Sequence, residues 1–265
     1  AQTQVCAVLI LSSSQLWSGS YLVNVNIPLA TLALLMQEVA RQPGNAALWC
    51  RIGFTYLRIG EHQEALATFM AAQQISPDYA ESWFGEAVTR FELGEHQTAL
   101  DKLGTSISRA PRDQRLWSAR AHMLSALGSP PETILAAYKD WARRFAEPLK
   151  PATPPPPFQQ GQRLRIGYLS ADFRQHALAY FFLPVLQQHD KARFELFGVF
   201  SGKEDQKTAE FKALFEHWHD ISNLDDTAAS KRISDLELDL LVDLSGHSDG
   251  NRLLALARQP VARQA

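Results

Sequence analysis

Three tryptophans, three glycines and three prolines recur with one period in the first half of the chain. Trp49, Trp83 and Trp117 are 34 residues apart, as are Gly60, Gly94 and Gly128, and Pro43, Pro77 and Pro111. A fixed period of this length marks one supersecondary unit copied along the chain. Each copy is too small to bury its apolar face alone, so a core forms only where copies stack. Within the first full copy, Trp49, Ile52, Gly53, Tyr56, Ala65, Phe69, Ala72 and Pro77 divide into two helical stretches. Gly53 and Ala65 are small enough for antiparallel helices to approach closely, while Trp49, Tyr56 and Phe69 fill the space between helices. Pro77 ends the second helix, because proline lacks the N–H and its ring clashes with the preceding turn.

Those eight positions coincide with the tetratricopeptide (TPR) consensus. A second copy holds the pattern at Trp83, Ala87, Gly94, Ala99, Leu103 and Pro111. A third begins with Trp117, Ala121, Leu124 and Gly128, then diverges after Pro130-Pro131, although Ile134, Ala137, Trp141 and Phe145 still share one helical face. Upstream, Leu29 to Arg41 fits the second helix of a worn earlier copy. The expected organisation is a degenerate repeat or cap over 1–45, TPR repeats over 46–147, a proline-rich linker over 148–162 and a second domain over 163–265. In the linker, Pro148, Pro151 and Pro154 to Pro157 place six prolines in ten residues, the composition of a stiff, extended spacer.

Beyond the spacer the periodicity changes from helical to alternating. Leu164–Ser170, Phe194–Phe200 and Leu238–Leu244 read as buried strands, with a short strand at Asp220–Ser222. Ala177–Gln188, Gln206–Trp218, Asp225–Leu236 and a segment starting at Asn251 read as helices. Strand–helix alternation predicts a doubly wound parallel sheet. The fold class is therefore α followed by α/β, a TPR superhelix and then a Rossmann-like sheet. In such sheets ligands bind beyond the carboxyl ends of the strands. Two loops meet that rule: Ala171-Asp172-Phe173-Arg174-Gln175-His176 after the first strand, and Ser245 to Asn251 after the last.

Both loops carry a histidine, which near neutral pH can take a proton from a hydroxyl or donate a hydrogen bond to a phosphate or sugar. Gly246 and Gly250 let backbone approach a ligand, and Asn251 is placed to cap the following helix. The candidate site is His176 as catalytic group with Asp172, Gly246, His247 and Asn251 on the substrate. The plainer reading, loop histidines as surface or capping residues, stands beside it. His62 and His96 share one repeat position and read as solvated surface. His217 and His219 form an H-x-H pair without an evident third ligand, so no metal is expected.

Composition excludes several classes. The net charge of −2 and the absence of a Lys/Arg cluster give no footprint for nucleic acid. Cys6 and Cys50 are too few for a disulfide framework and suit a reducing compartment, so a cytoplasmic location is expected. The apolar run Val5–Leu11 lacks the basic flank of a signal peptide and the length of a membrane span. It reads as a worn repeat or buried element, in a chain that does not begin with Met.

LRIGYLSADFRQHALAYFFLPVLQQHDKARFELFGV resembles the start of the catalytic region of O-linked N-acetylglucosamine transferases and the related SPINDLY proteins. LDLLVDLSGHSDGNRLLALARQPVARQA is similar to the family's next block, and both follow TPRs as they do in the family. The resemblance implies one lobe of a two-lobed GT-B glycosyltransferase. Such an enzyme moves a sugar from a nucleotide donor, here expected to be UDP-N-acetylglucosamine without a metal, to Ser or Thr of intracellular proteins recruited by the TPR groove. It places His176 at the family's histidine, a base or transition-state contact, and Gly246 and His247 in a loop bordering the cleft. It also implies that the lysine expected at the diphosphate lies in the other lobe, so that this stretch alone is inactive and binds the donor weakly. Relatives use GDP-fucose as well, and a non-catalytic TPR scaffold is the competing reading. Two departures matter: Ala177 stands where a proline commonly follows the histidine, and Arg51, Gly85 and Ala119 stand where long TPR arrays of the family carry asparagines.

Overall fold

The computed structural model of the chain describes residues 26–151 and 163–265, in two compact units that divide between Ala137 and Tyr138. The expected element at Val5–Leu11 and nearly all of the expected spacer lie outside the described residues.

The first unit is a run of antiparallel helices: α1 (Asn26–Arg41), α2 (Ala46–Ile59), α3 (His62–Ile75), α4 (Ala80–Glu92), α5 (His96–Arg109), α6 (Gln114–Ala126) and the start of α7 (Pro131–Trp141). The periodic residues have the jobs their spacing implies. Gly60, Gly94 and Gly128 adopt φ of 84°, 81° and 64° after α2, α4 and α6, a left-handed conformation that closes a helix and that glycine reaches without a Cβ penalty. Tryptophan and proline prove to be one device. Trp49, Trp83 and Trp117 donate Nε1–H to the carbonyls of Pro43, Pro77 and Pro111 at 2.9, 2.7 and 3.1 Å, pinning each first helix to the turn that precedes it.

Phe69, fully buried on α3, is the centre of the first two repeats. A Cβ on Gly53 of α2 would come within 2.7 Å of its ring, and a Cβ on Gly85 of α4 would collide with the same ring. Gly85 is one of the positions where the related arrays carry asparagine, and here the space is filled by Phe69. At the other two such positions Arg51 pairs with Glu38 at 3.4 Å and Ala119 is buried. Glu86 is buried on α4 and accepts from Gln73 at 2.7 Å and Arg90 at 2.7 Å, with Lys102 at 3.1 Å. Burial alone would push its carboxyl up, but these donors hold it below the usual carboxylate range. His62 departs from the solvated reading, since its Nε2 lies 2.8 Å from Glu92.

The second unit opens with the last turn of α7, followed by a π-type turn at Ala142–Ala146 and a 3-10 turn at Glu147–Leu149. It continues through β1 (Leu164–Ser170), α8 (Ala177–Gln187), β2 (Phe194–Phe200), α9 (Thr208–Leu214), β3 (His217–Asp220), α10 (Asp226–Ser234), β4 (Leu240–Asp243) and α11 (Leu253–Ala257). The four strands are parallel in the order β3-β2-β1-β4. Leu178, Phe182 and Leu186 of α8 and Phe211 of α9 cover one face, packed on Ile166, Tyr168, Leu196 and Phe200. Ala229 and Ile233 of α10 and Ala255 of α11 cover the other, packed on Leu169, Phe197, Val199 and Leu241. Helices on both faces make the sheet doubly wound, as the alternation predicts. Arg263 to Ala265 run along the outer edge of β4, with Leu241 N–H donating to Arg263 O at 3.0 Å and Asp243 N–H to Ala265 O at 2.8 Å.

One segment departs from the sequence reading. The helix expected over Gln206–Trp218 stops at Leu214, and the short strand lies at His217–Asp220 instead of Asp220–Ser222. Pairing of His217 to Asp220 with Phe197 to Phe200 overrides the local helical pattern, and Gly198 leaves the space that Phe215 and Trp218 occupy. His217 and His219 then point to one face of the strand. His217 contacts Glu195 at 2.7 Å and His219 contacts Arg232 at 3.1 Å, so both are tied into side-chain contacts across the sheet.

The contact between Phe69 and Gly85 sets a test of the first unit. Gly85→Ala is expected to cost about 1–3 kcal/mol through overpacking, although alanine is the better helix former by about 1 kcal/mol. Combining it with Phe69→Leu is expected to cost less than the sum of the two single changes, since both act on one contact. Additive losses in urea unfolding would contradict the packing described.

Candidate functional site

The strand order reverses at β1: β2 and β3 extend the sheet to one side, β4 to the other. In open parallel sheets this switch point leaves a crevice at the carboxyl ends of the two central strands. The loops that flank it here are the two that carry the predicted site residues. They are joined directly. Ala171 N–H donates to Ser245 Oγ at 3.1 Å, and the hydroxyls of Ser170 and Ser245 lie 3.4 Å apart. The loop after β2 closes the same edge. Ser201 Oγ donates to Gly250 O at 2.9 Å, and Gln175 N–H donates to Asp205 Oδ2 at 2.8 Å. A Cβ on Gly202 would run into the carbonyl of Ala171, and one on Gly250 would lie 2.7 Å from the Ala171 methyl. The site is thus three loops interlocked around Ala171.

His176 closes the first loop and caps α8. Its backbone is extended, with φ −150° and ψ 162°, and its Nδ1 accepts the Leu178 N–H at 3.3 Å. Asp172, buried at 7% exposure, places Oδ2 at 3.8 Å from that Nδ1. Its Oδ1 accepts from Arg174 Nε at 3.1 Å and from a terminal guanidinium nitrogen at 3.0 Å. The structure therefore brings Asp172 and His176 together, with Arg174 paired to the other carboxylate oxygen. Arg174 was not among the predicted residues, and neither were Ser170, Ser201, Asp205 or Ser245. Their signal in the sequence is position alone, at or just beyond the carboxyl ends of strands.

The second loop divides. Gly246, at φ 53° with open space where a Cβ would be, donates its N–H to Asp243 Oδ2 at 3.0 Å, and Ser245 N–H reaches Asp243 Oδ1 at 3.1 Å. Burial pushes the Asp243 carboxyl up and these two amides pull it back. Asn251 accepts the Leu253 N–H through Oδ1 at 3.2 Å, but it stands one residue before Arg252, the cap position of α11, so it does not take the N-cap place expected of it. The predicted His247 is held elsewhere: its ring packs against Tyr138 and Trp141 on the last turn of α7, with centroids 4.8 and 4.7 Å away. Burial holds its imidazole below the ordinary histidine value. That packing anchors the loop. Among the described residues no three His, Cys, Asp or Glu side chains converge as a metal site, and no described helix is long and apolar enough to cross a membrane.

With this geometry in hand, comparison with known proteins is specific. Residues 151–265 match the family model Glycosyl transferase family 41. Over that stretch the chain is similar to the members of that family. "Probable UDP-N-acetylglucosamine--peptide N-acetylglucosaminyltransferase SPINDLY" of Arabidopsis thaliana is 31% identical over 140 residues, 50% of this chain and 15% of its own length. The UDP-N-acetylglucosamine--peptide N-acetylglucosaminyltransferase of Caenorhabditis elegans is 31% identical over 108 residues, 39% of this chain and 9% of its own length. A mutant of the Thermobaculum terrenum O-GlcNAc transferase superposes on 91% of this chain with a TM-score of 0.82 and 28% identity, over 47% of that protein. The chain therefore spans under half the length of the solved relative and a smaller share of the curated ones.

His247 offers a pH test of its aromatic clasp. Its folded-state value lies below the unfolded one of about 6.5. Below that pH the unfolded chain takes up a proton that the clasp resists, so the contribution turns destabilising as pH falls. His247→Phe keeps a ring in place and removes the titration. The loss of urea stability between pH 7 and pH 5 is expected to be smaller in this variant than in the wild type. An equal loss in both would show that the ring is not held between Tyr138 and Trp141.

Proposed function

We propose that this chain supplies the acceptor-binding TPR array and one lobe of a GT-B protein O-glycosyltransferase, with N-acetylglucosamine carried from UDP-N-acetylglucosamine to Ser or Thr hydroxyls. The observation that carries the reading is the placement of His176: at the switch-point edge, on a loop locked to two others, inside a segment that matches a glycosyltransferase family. In the reaction the hydroxyl oxygen bonds the anomeric carbon, the bond to the nucleoside diphosphate breaks, and the hydroxyl proton passes to a base. Asp172 and Arg174 fix the loop that carries His176. Gly246 gives a ligand access to backbone, and Asn251 and the amides at the start of α11 line the same edge. His247 acts from beneath, by tying this loop to α7. The printed names of the relatives favour N-acetylglucosamine as the sugar. Interlocked loops organise this edge, and a cytoplasmic enzyme working on intracellular proteins fits the free, buried Cys50.

The repeats favour recruitment of a polypeptide, but not through an asparagine ladder, because Phe69 fills the space at Gly85, Ala119 is buried and Arg51 is paired with Glu38. A scaffold without catalysis is the second reading, favoured by the helical array having buried cores of its own, around Phe69 and around Leu103. It predicts peptide binding with no sugar transfer from any nucleotide sugar.

His176→Ala in the natural protein that contains these residues is expected to lower sugar transfer by about 10²–10⁴-fold. Loss of the α8 cap should cost about 0.5–2 kcal/mol, so the variant remains folded. Transfer of a radiolabelled sugar measured beside a melting curve decides the matter; full activity in the folded variant removes His176 from the reaction.

A further inference from the structure

His176 has two nitrogens and the fold has already assigned one of them. Nδ1 accepts the Leu178 N–H at 3.3 Å as the cap of α8. A nitrogen that accepts a hydrogen bond presents its lone pair, so the proton of the neutral imidazole sits on the other nitrogen, Nε2. Among the described residues, the group placed to draw a proton onto Nδ1 instead is Asp172. Its Oδ2 lies at 3.8 Å, beyond hydrogen-bond range, and its charge is matched by Arg174 through Oδ1. This is the reverse of the arrangement that makes a histidine a base. There a carboxylate takes the Nδ1–H, and the Nε2 lone pair is left facing the hydroxyl.

Nε2 of His176 has no hydrogen-bond partner among the described residues, and the side chain is 35% exposed. We propose that neutral His176 acts on the bound substrate as a hydrogen-bond donor, through Nε2–H to a substrate oxygen, and does not remove the proton of the acceptor hydroxyl. For it to serve as the base, the proton would first have to move to Nδ1, and the cap of α8 would be lost. The hydroxyl proton therefore leaves to another group, and no covalent step passes through His176. The proposal deepens the reading of His176 as the catalytic residue and rests on it. The position of the proton does not depend on that reading.

Two measurements test it. In two-bond proton–nitrogen NMR of the ¹⁵N-histidine-labelled protein at neutral pH, the His176 signals are assigned from their loss in His176→Asn. Nδ1 is expected to resonate as the unprotonated nitrogen and Nε2 as the protonated one. The opposite pattern, or rapid averaging of the two, overturns the proposal while leaving a base role open. The second measurement compares two substitutions in sugar transfer. His176→Gln carries an amide donor toward the place of Nε2, whereas His176→Asn keeps a cap acceptor and loses that reach. Transfer is expected to fall by no more than about tenfold in His176→Gln and by about 10²–10³-fold in His176→Asn, the range seen when one transition-state donor is removed. Equal, severe losses in both folded variants would point to a base and overturn the donor role. Undiminished transfer in both, with the proton found on Nε2, would overturn the catalytic reading of His176 itself.

Discussion

The exit of β1 is the constraint on which the candidate site depends. β1 is paired on both sides, with β2 from Leu164 to Ser170 and with β4 from Ile166 to Leu169. It therefore cannot shift its register without breaking both ladders. Immediately after it, Ala171 is enclosed on several sides: its amide by the Ser245 hydroxyl, its carbonyl by Gly202 and its methyl by Gly250. The five residues that follow are short enough that fixing Ala171 and the start of α8 also fixes Asp172, Arg174 and His176. Precision at the site comes from this sheet edge and not from the loops' own rigidity.

The first unit solves a different problem with the same economy of parts. A stack of helix pairs has no sheet to hold register, so the helices are indexed by side chains that interlock once per repeat. The tryptophan-to-proline hydrogen bond recurs every 34 residues and fixes each first helix to its turn. Phe69 then joins two repeats by filling the gaps at Gly53 and Gly85. The same packing leaves no room for a longer side chain at position 85.

Much of this was legible in the amino-acid order. β1 and β2 fall at Leu164–Ser170 and Phe194–Phe200, as their apolar runs indicate, because the last five residues of each are buried and the one charged residue, Arg165 or Glu195, sits at the partly exposed start. The segment around Trp218 was not legible. Its spacing of Ala209, Ala213 and Phe215 suits a helix, and only the neighbouring strand's Gly198 makes room for Phe215 and Trp218 in an extended chain. At the site, Asp172, His176, Gly246 and Asn251 were visible as polar or small residues after strands. Arg174 and the serines were not, because their roles exist only across loops distant in sequence.

His247 and His176 mark the division between the two kinds of information. Sequence alone determined that each ends up in a loop beyond a parallel strand, since residue type and strand periodicity set that locally. Only the tertiary structure decided that one ring would be taken by Tyr138 and Trp141, more than a hundred residues earlier, and that the other would spend Nδ1 on the helix behind it. A histidine's chemistry depends on what its nitrogens touch, and those partners are assembled by the fold.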